Sequence, residues 1–266
     1  MRGVALCSIG RMENAYAVEF VEHYKGIGFT HIFIYDNNHD GEEHFEEVLS
    51  SYIDCGFVTI IDWRNKEKAQ KSAYMDCYNR FGKEYEWIAF FDFDEYLVIT
   101  NNSDIGTFLN RFNSFECVLI NWMNYTDGDM LRNDGRPLQE RFTVPMSLDK
   151  SIGYDFPENN HVKSIVRGGL SVCVFDTNPH VPSTPLLCCN TRNERCSQYP
   201  WQPYDHSVAY LKHFTTKTIE EWLSNKMLKG TGGRRYQRFI ETYKDYFFKV
   251  NKKTKEKEEF IRTWQK

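Results

Sequence analysis

No stretch of the 266-residue sequence approaches the about 18 consecutive apolar residues that a membrane-spanning helix needs, and the apolar opening at residues 4–9 is too short for a signal peptide. These absences point to a cytoplasmic protein. The eight cysteines never form Cys-x-x-Cys and mostly sit inside apolar segments, so buried free thiols are expected rather than a disulfide frame. His180, Cys188, Cys189 and Cys196 could together hold zinc, but their spacing matches no recognised ligand pattern. An excess of one charge is missing too. Lys and Arg number 33 against 37 Asp and Glu, a net charge of −4, which gives no global attraction to nucleic acid. There is no internal repeat and no clear domain boundary.

What is present is apolar residue enough, at 41%, to fill one large α/β core or two small ones. The first hundred residues alternate strand and helix signals in the manner of a doubly wound sheet. Residues 4–8 read as a buried strand, and residues 15–27 as a helix with Phe20, Tyr24 and Ile27 on one face, closed by Gly28. A second strand at 31–35 runs into Asp36-Asn37-Asn38-His39-Asp40-Gly41, loop composition where open α/β sheets bind ligands. A helix at 45–55, a strand at 57–61 and a helix at 66–81 follow, and then the most hydrophobic strand, 87–91. Beyond residue 100 we expect a helix at 105–112, strands at 117–122, 162–166, 172–175 and 208–211, and helix from Thr218 onward. Residues 124–160 are rich in Asp, Asn, Gly and Pro, which suits a functional excursion over the sheet. The expected organisation is one domain, residues 1–248, and a Lys-rich tail, 249–266.

Asp92-Phe93-Asp94-Glu95 follows directly on the apolar strand, so its carboxylates emerge at the carboxyl edge of the sheet. In an extended chain Asp92 and Asp94 point the same way. Two carboxylates side by side in low dielectric repel unless a proton or a cation lies between them. Mn²⁺ or Mg²⁺ is the expected cation, a hard ion that takes oxygen ligands and also accepts diphosphate oxygens. A second element, His213-Phe214-Thr215-Thr216-Lys217, offers an imidazole to complete the metal shell and a cation to neutralise a phosphate.

Several motifs in fixed order carry a resemblance: Glu13-Asn14, Ile34-Tyr35-Asp36-Asn37, the run from Trp87 through Asp92-Phe93-Asp94-Glu95 to Tyr96, Lys163-Ser164-Ile165-Val166, Asn178-Pro179-His180, and His213 to Lys217. Together they resemble the glycosyltransferase family 2-like group related to family 92. The resemblance implies a GT-A-like α/β fold, a mixed and mostly parallel sheet flanked by helices. It also implies a metal-dependent glycosyltransferase (hexosyltransferase) that moves a sugar from a nucleotide sugar, a UDP-sugar first, to a glycan or glycolipid acceptor with inversion. Carried over by position, Asp36 and Glu13 would bind the nucleoside, Lys71 and Lys217 the phosphates, and Asp92 the donor as well as the metal. Asp92, Asp94 and His213 would be the metal ligands. Lys163 and His180 match the pattern without an assignable role.

An inverting transfer needs a general base. The segment Asn121 to Asp129 departs from the related pattern and is acidic instead, so Asp127 and Asp129 are the nearest candidates, with Asp155 and Glu158 behind them. Asp/Gly clusters are also ordinary turn chemistry. Three other readings share parts of the sequence: an inactive carbohydrate- or nucleotide-binding protein on the same fold, a phosphohydrolase using the Asp-x-Asp pair, and a sugar nucleotidyltransferase. The phosphohydrolase lacks its usual threonine, since position 96 is Tyr, and the nucleotidyltransferase lacks a Gly-rich phosphate loop after the first strand. The tail lysines, interleaved with Phe247, Phe248, Phe260 and Trp264, fit either a solvated helix or weak association with the inner membrane face near a lipid-linked acceptor.

Overall fold

The computed structural model describes residues 3–146, 157–226 and 240–264. Strands β1 (Val4–Gly10), β2 (His31–Asp36), β3 (Val58–Asp62) and β4 (Trp87–Phe90) form a parallel block in the order β3-β2-β1-β4. Helices α1 (Asn14–Gly26), α2 (Glu46–Asp54) and α3 (Gln70–Phe81) make the crossovers between successive strands. β1, but for Ser8, and β4 are apolar because neighbours cover both faces of a central parallel strand. Past β4 the sheet turns mixed. β7 (Val162–Arg167) pairs antiparallel with both β4 and β6 (Cys117–Asn124), and the two-residue β8 (Cys188–Cys189) lies parallel to β6. β9 (Ala209–His213) and β5 (Glu95–Ile99) complete the order. Thr100 N–H donates to the Val208 carbonyl at 3.0 Å, so β9 starts beside the end of β5 and runs back toward its beginning. The mixed, largely parallel α/β sheet expected from the sequence is therefore present.

Most expected elements match within one to three residues, and the departures have local causes. The third helix begins at Gln70, not 66, because Asn65 and Lys68 take left-handed backbone at φ 60° and 50° and hold a turn ahead of it. Residues 172–175 form no strand. The Val174 and Asp176 amides donate to the hydroxyls of Thr184 and Ser183, at 3.0 and 3.2 Å, in place of a neighbouring strand. β5 was not expected, because only a four-residue turn separates it from β4. Gly28, at φ 94°, ends α1 in a conformation that favours glycine.

The chain divides into two compact units, Met1–Trp122 with Asn159–Lys212, and Met123–Glu158 with His213–Lys266. The path leaves the first unit at Trp122, returns at Asn159 and leaves again at Lys212, so no linker marks the border. In the first unit Cys7, Phe33, Tyr35, Tyr74, Cys77, Ile88, Phe90 and Val166 belong to one core. The cysteines are free thiols, six of them buried. α4 (Ile105–Leu109) follows β5, and α5 (Leu138–Arg141) follows β6. In the second unit Ile219, Trp222, Leu223, Phe247 and Ile261 pack together, drawing on α6 (Ile219–Glu221), the π-helical turn Trp222–Lys226, α7 (Ile240–Val250) and α8 (Lys255–Trp264). The Lys-rich segment is thus part of a core, with Val250, Asn251, Lys257 and Ile261 buried. Among the described residues no helix is long and apolar enough to cross a membrane.

Candidate active site

β4 ends in a turn, not in an extended exit. The Glu95 N–H donates to the Asp92 carbonyl at 3.0 Å, and the Asp92 N–H donates to Glu95 Oε2 at 3.0 Å. Phe93 anchors this turn in the core, its ring 4.6 Å from Phe20 and 5.1 Å from Phe45. Gly10, ending β1 beneath it, has no room for a side chain. A Cβ there would stand 2.6 Å from the Phe45 ring and 2.7 Å from that of Phe93. Ser8 Oγ donates to the Phe91 carbonyl at 2.6 Å. Packing, rather than strand alternation, sets where the Asp92 and Asp94 carboxylates lie.

A lysine lies beside these carboxylates. Lys163 comes from β7, whose Ser164 is in register with Phe90 of β4, and its side chain is wholly buried. Its Nζ lies 2.8 Å from Asp92 Oδ2 and 3.7 Å from Glu95 Oε1. Asp92 Oδ1 accepts from Gln70 Nε2 and, at 2.9 Å, from the Tyr74 hydroxyl, both on α3. The Tyr74 ring also faces the ammonium at 5.8 Å. Three side chains from two elements, β7 and α3, therefore fix one carboxylate. Burial by itself would lower the Lys163 pKa, but the attraction of Asp92, Glu95 and Asp94 outweighs it and leaves the group above its ordinary value. Burial pushes Glu95 well above the usual carboxylate range. Lys163 opposes that shift, and the charges of Asp92 and Asp94 add to it.

Asp36 ends β2 in register with Gly10 of β1 and Asp62 of β3, at the carboxyl edge of the block. Its buried carboxylate pairs with Arg64 Nε at 3.1 Å and accepts from the Asn38 amide N–H at 2.9 Å and Nδ2 at 2.7 Å. Asn38 Oδ1 in turn accepts from the Met12 N–H at 2.8 Å, which ties together the loops after β1 and β2. Glu13 lies half-buried in the same loop, directly ahead of α1. Lys71, on α3, donates to the Asp176 carbonyl. The first unit thus brings Asp92, Asp94 and Glu95 together around Lys163, and holds Asp36 in a separate network.

In the second unit Asp127 is buried, with its Oδ2 2.7 Å from Lys257 Nζ, and Lys257 also reaches Asp129 Oδ1 at 3.1 Å. The Asp127 N–H donates to Asn251 Oδ1 at 2.7 Å. Burial raises the Asp127 pKa, while Lys257 pulls it down. These contacts moor α8. The Asp129 side chain stays 63% exposed. Asp155 lies outside the described residues, and Glu158 falls in the 3-10 turn Pro157–Asn160. His213 ends β9, is buried, and accepts the Tyr125 N–H on its carbonyl at 3.1 Å. Lys217 is buried at φ 53°, one residue ahead of a capping box in which Thr218 and Glu221 exchange hydrogen bonds. Arg141 holds Glu221 in a buried bidentate pair, both bonds 2.9 Å, and so fixes the start of α6 just beyond Lys217.

Sequence reasoning left Lys163 without a role and passed over Gln70, Tyr74 and Glu95. One signal was available. A lysine inside the apolar run Val162-Lys163-Ser164-Ile165-Val166 must find a counter-charge if the strand is buried.

The sequence pattern of glycosyltransferase family 92 matches residues 3–263. Among curated proteins, a glycosyltransferase family 92 protein of Oryza sativa subsp. japonica is 29% identical over 110 residues, 41% of this chain and 18% of that protein. One of Ricinus communis is 31% identical over 93 residues, 35% of this chain and 16% of that protein. The matched segments thus span less than a fifth of those relatives. Among solved structures, S. aureus TarS residues 1–349 shares 11% identity at a TM-score of 0.45, covering 93% of this chain and 70% of that one. The same protein in complex with UDP-GlcNAc gives 13% and 0.40, covering 62% and 45%. With the match extending over nearly its whole length, the chain belongs to glycosyltransferase family 92.

Proposed function

We propose that the chain transfers a sugar from a nucleotide-sugar donor, a UDP-sugar first, to a glycan or glycolipid acceptor, and that the Asp92–Glu95 turn is the donor-phosphate end of the site. The observation that carries this reading is the pinned carboxylate group. Asp92 is fixed by Lys163, Gln70 and Tyr74 at the exit of β4, in a chain whose family membership implies glycosyl transfer.

The acidic turn also suits a divalent ion. Its donors are hard carboxylate oxygens, which match Mn²⁺ or Mg²⁺. Asp92 already accepts from three side chains, so we assign the leading ligand role to Asp94, with His213 as the imidazole ligand and Asp92 as an oriented second carboxylate. When bound, the ion supplies neutralisation of the leaving diphosphate. The chain's own residues do the rest. Lys163 holds Asp92 in one orientation, and Lys217 is the proposed phosphate cation. Asp36, with Glu13 nearby, offers acceptor oxygens to the ribose and base, kept rigid by Arg64 and Asn38. Of the two acidic residues considered for the base, Asp129 is the better candidate, since Asp127 is sealed against Lys257. Weak membrane-surface contact by the C-terminal segment remains part of the proposal for Lys249, Lys252, Lys253 and Lys255, which are solvent-facing, and not for buried Lys257.

Thermal unfolding with UDP- and GDP-sugars, with and without Mn²⁺, tests the reading. One nucleotide should stabilise the wild type only when Mn²⁺ is present, and Asp94→Asn should lose that increment while keeping its own unfolding temperature. Slow metal-dependent release of free nucleotide then separates an enzyme from a binding protein. Stabilisation by no nucleotide, or an unchanged Mn²⁺ effect in Asp94→Asn, would overturn it.

A further inference from the structure

Exposed aromatic side chains gather in one short segment of the first unit. Tyr199, Trp201 and Tyr204 are 59%, 37% and 44% exposed, three of eight large hydrophobic residues so exposed among those described, within six positions of sequence. The segment is built, not loose. Buried Gln202 sends its Nε2 to the Ser197 and Tyr199 carbonyls at 2.8 and 2.9 Å, and its N–H donates to the Asn160 carbonyl at 2.7 Å. Asn121 Oδ1 accepts from the Asp205 N–H at 3.3 Å. Val162 N–H donates to the Pro200 carbonyl at 3.1 Å, and His161 and Trp201 form an antiparallel bridge. A backbone fixed at both ends of an exposed indole limits the entropy lost when a ligand stacks on it.

Trp201 is the outer end of a ring series that leads toward Lys163. Its ring lies 3.6 Å from that of His161, which stacks on His180 at 4.9 Å and meets Trp122 at the same distance. His180 Nδ1 lies 3.1 Å from the Val162 carbonyl, which fixes that ring. His161 stands two residues before Lys163 on the same strand path, so the two side chains share a face. Lys163 then contacts Asp92 at 2.8 Å. A flat aromatic surface beside polar imidazole edges fits a ligand with one apolar C–H face and a rim of hydroxyls. Acyl chains and acidic peptides have no such face, and a pyranose ring does.

We propose that Trp201, backed by His161, is the floor of a subsite that stacks a pyranose ring of the acceptor glycan, a reading that rests on the glycosyl transfer proposed for the Asp92 turn. Tyr199 and Tyr204, exposed and within three positions of Trp201 in the sequence, offer further aromatic surface, so the subsite takes a chain of sugars and not an isolated monosaccharide.

The test uses the whole ¹⁵N-labelled chain and its indole N–H signals, with the Trp201 signal identified by its loss in Trp201→Phe. Lactose, cellobiose, chitobiose and mannobiose are titrated singly, and UDP with Mn²⁺ separately. At least one disaccharide should shift the Trp201 signal saturably. Followed by isothermal titration calorimetry, which needs no indole signal, binding should survive in Trp201→Phe and weaken roughly tenfold or more in Trp201→Ala, the scale of a truncated aromatic anchor, while UDP binding is unchanged. The proposal is overturned if no disaccharide moves the signal up to its solubility limit. It is equally overturned if Trp201→Ala binds as well as the wild type, or if the signal moves only with protein concentration and so reports self-association. UDP that fails to bind while a disaccharide does would remove the donor reading and leave this subsite standing.

Discussion

Replacing Lys163 by Met should be among the most damaging single changes in the first unit, and the damage should depend on pH. The ammonium is wholly buried and serves Asp92 at 2.8 Å and the equally buried Glu95 at 3.7 Å. Removing one partner of a buried ion pair costs about 3–5 kcal/mol because the remaining charge has no compensation. For a chain of this size each kcal/mol lowers the unfolding midpoint by about 2–4 °C, so the expected fall is roughly 6–20 °C. Folding raises the Glu95 pKa above its ordinary 4.5. The stability linked to that proton is therefore complete below about pH 4.5 and is lost as pH rises toward the folded value. Without Lys163 the folded value climbs further, so the deficit of Lys163→Met should be larger at pH 8 than at pH 5. The double variant Lys163→Met with Glu95→Gln removes both buried charges and should recover part of the loss. Thermal unfolding followed by circular dichroism at the two pH values measures all of this. A deficit under about 1 kcal/mol, the scale of an exposed pair, would refute the reasoning. So would equal deficits at both pH values, or a double variant no better than the single one.

Acid should weaken the fold through two histidines. Burial lowers His23 to about 4 and His180 to about 3, so the stability they contribute is present above pH 6.5 and drains as pH falls through those values. His180→Asn should flatten the loss between pH 6.5 and 4, measured by urea unfolding. Lys257→Met leaves Asp127 buried without its cation, and should cost about 3–5 kcal/mol and expose α8 to limited proteolysis. Truncation ahead of Lys249 should likewise lower the unfolding temperature, because Val250, Asn251, Lys257 and Ile261 are buried, and an unchanged temperature would restore the view of a solvated tail. Gly10→Ala should disturb the Asp92 turn by forcing Phe45 and Phe93 apart, costing about 1–3 kcal/mol in the same assay.

The sequence by itself determined the strand and helix succession through β4 and α3, because a parallel strand covered on both faces must be apolar and its crossover helix must show one apolar stripe. It also placed the acidic residues of Asp92–Glu95 at a strand exit, since an apolar run followed by carboxylates has few other places to end. What the first carboxylate meets there was decided only by tertiary structure. Lys163 is 71 positions from Asp92, and their encounter depends on β7 returning antiparallel beside β4 in one register, Phe90 opposite Ser164. The mooring of Asp127 by Lys257 was hidden for the same reason. Each carboxylate looked available in a local reading, because the lysine that compensates it arrives from a distant strand or helix, and pairing across such distances is written in packing rather than in neighbouring residues.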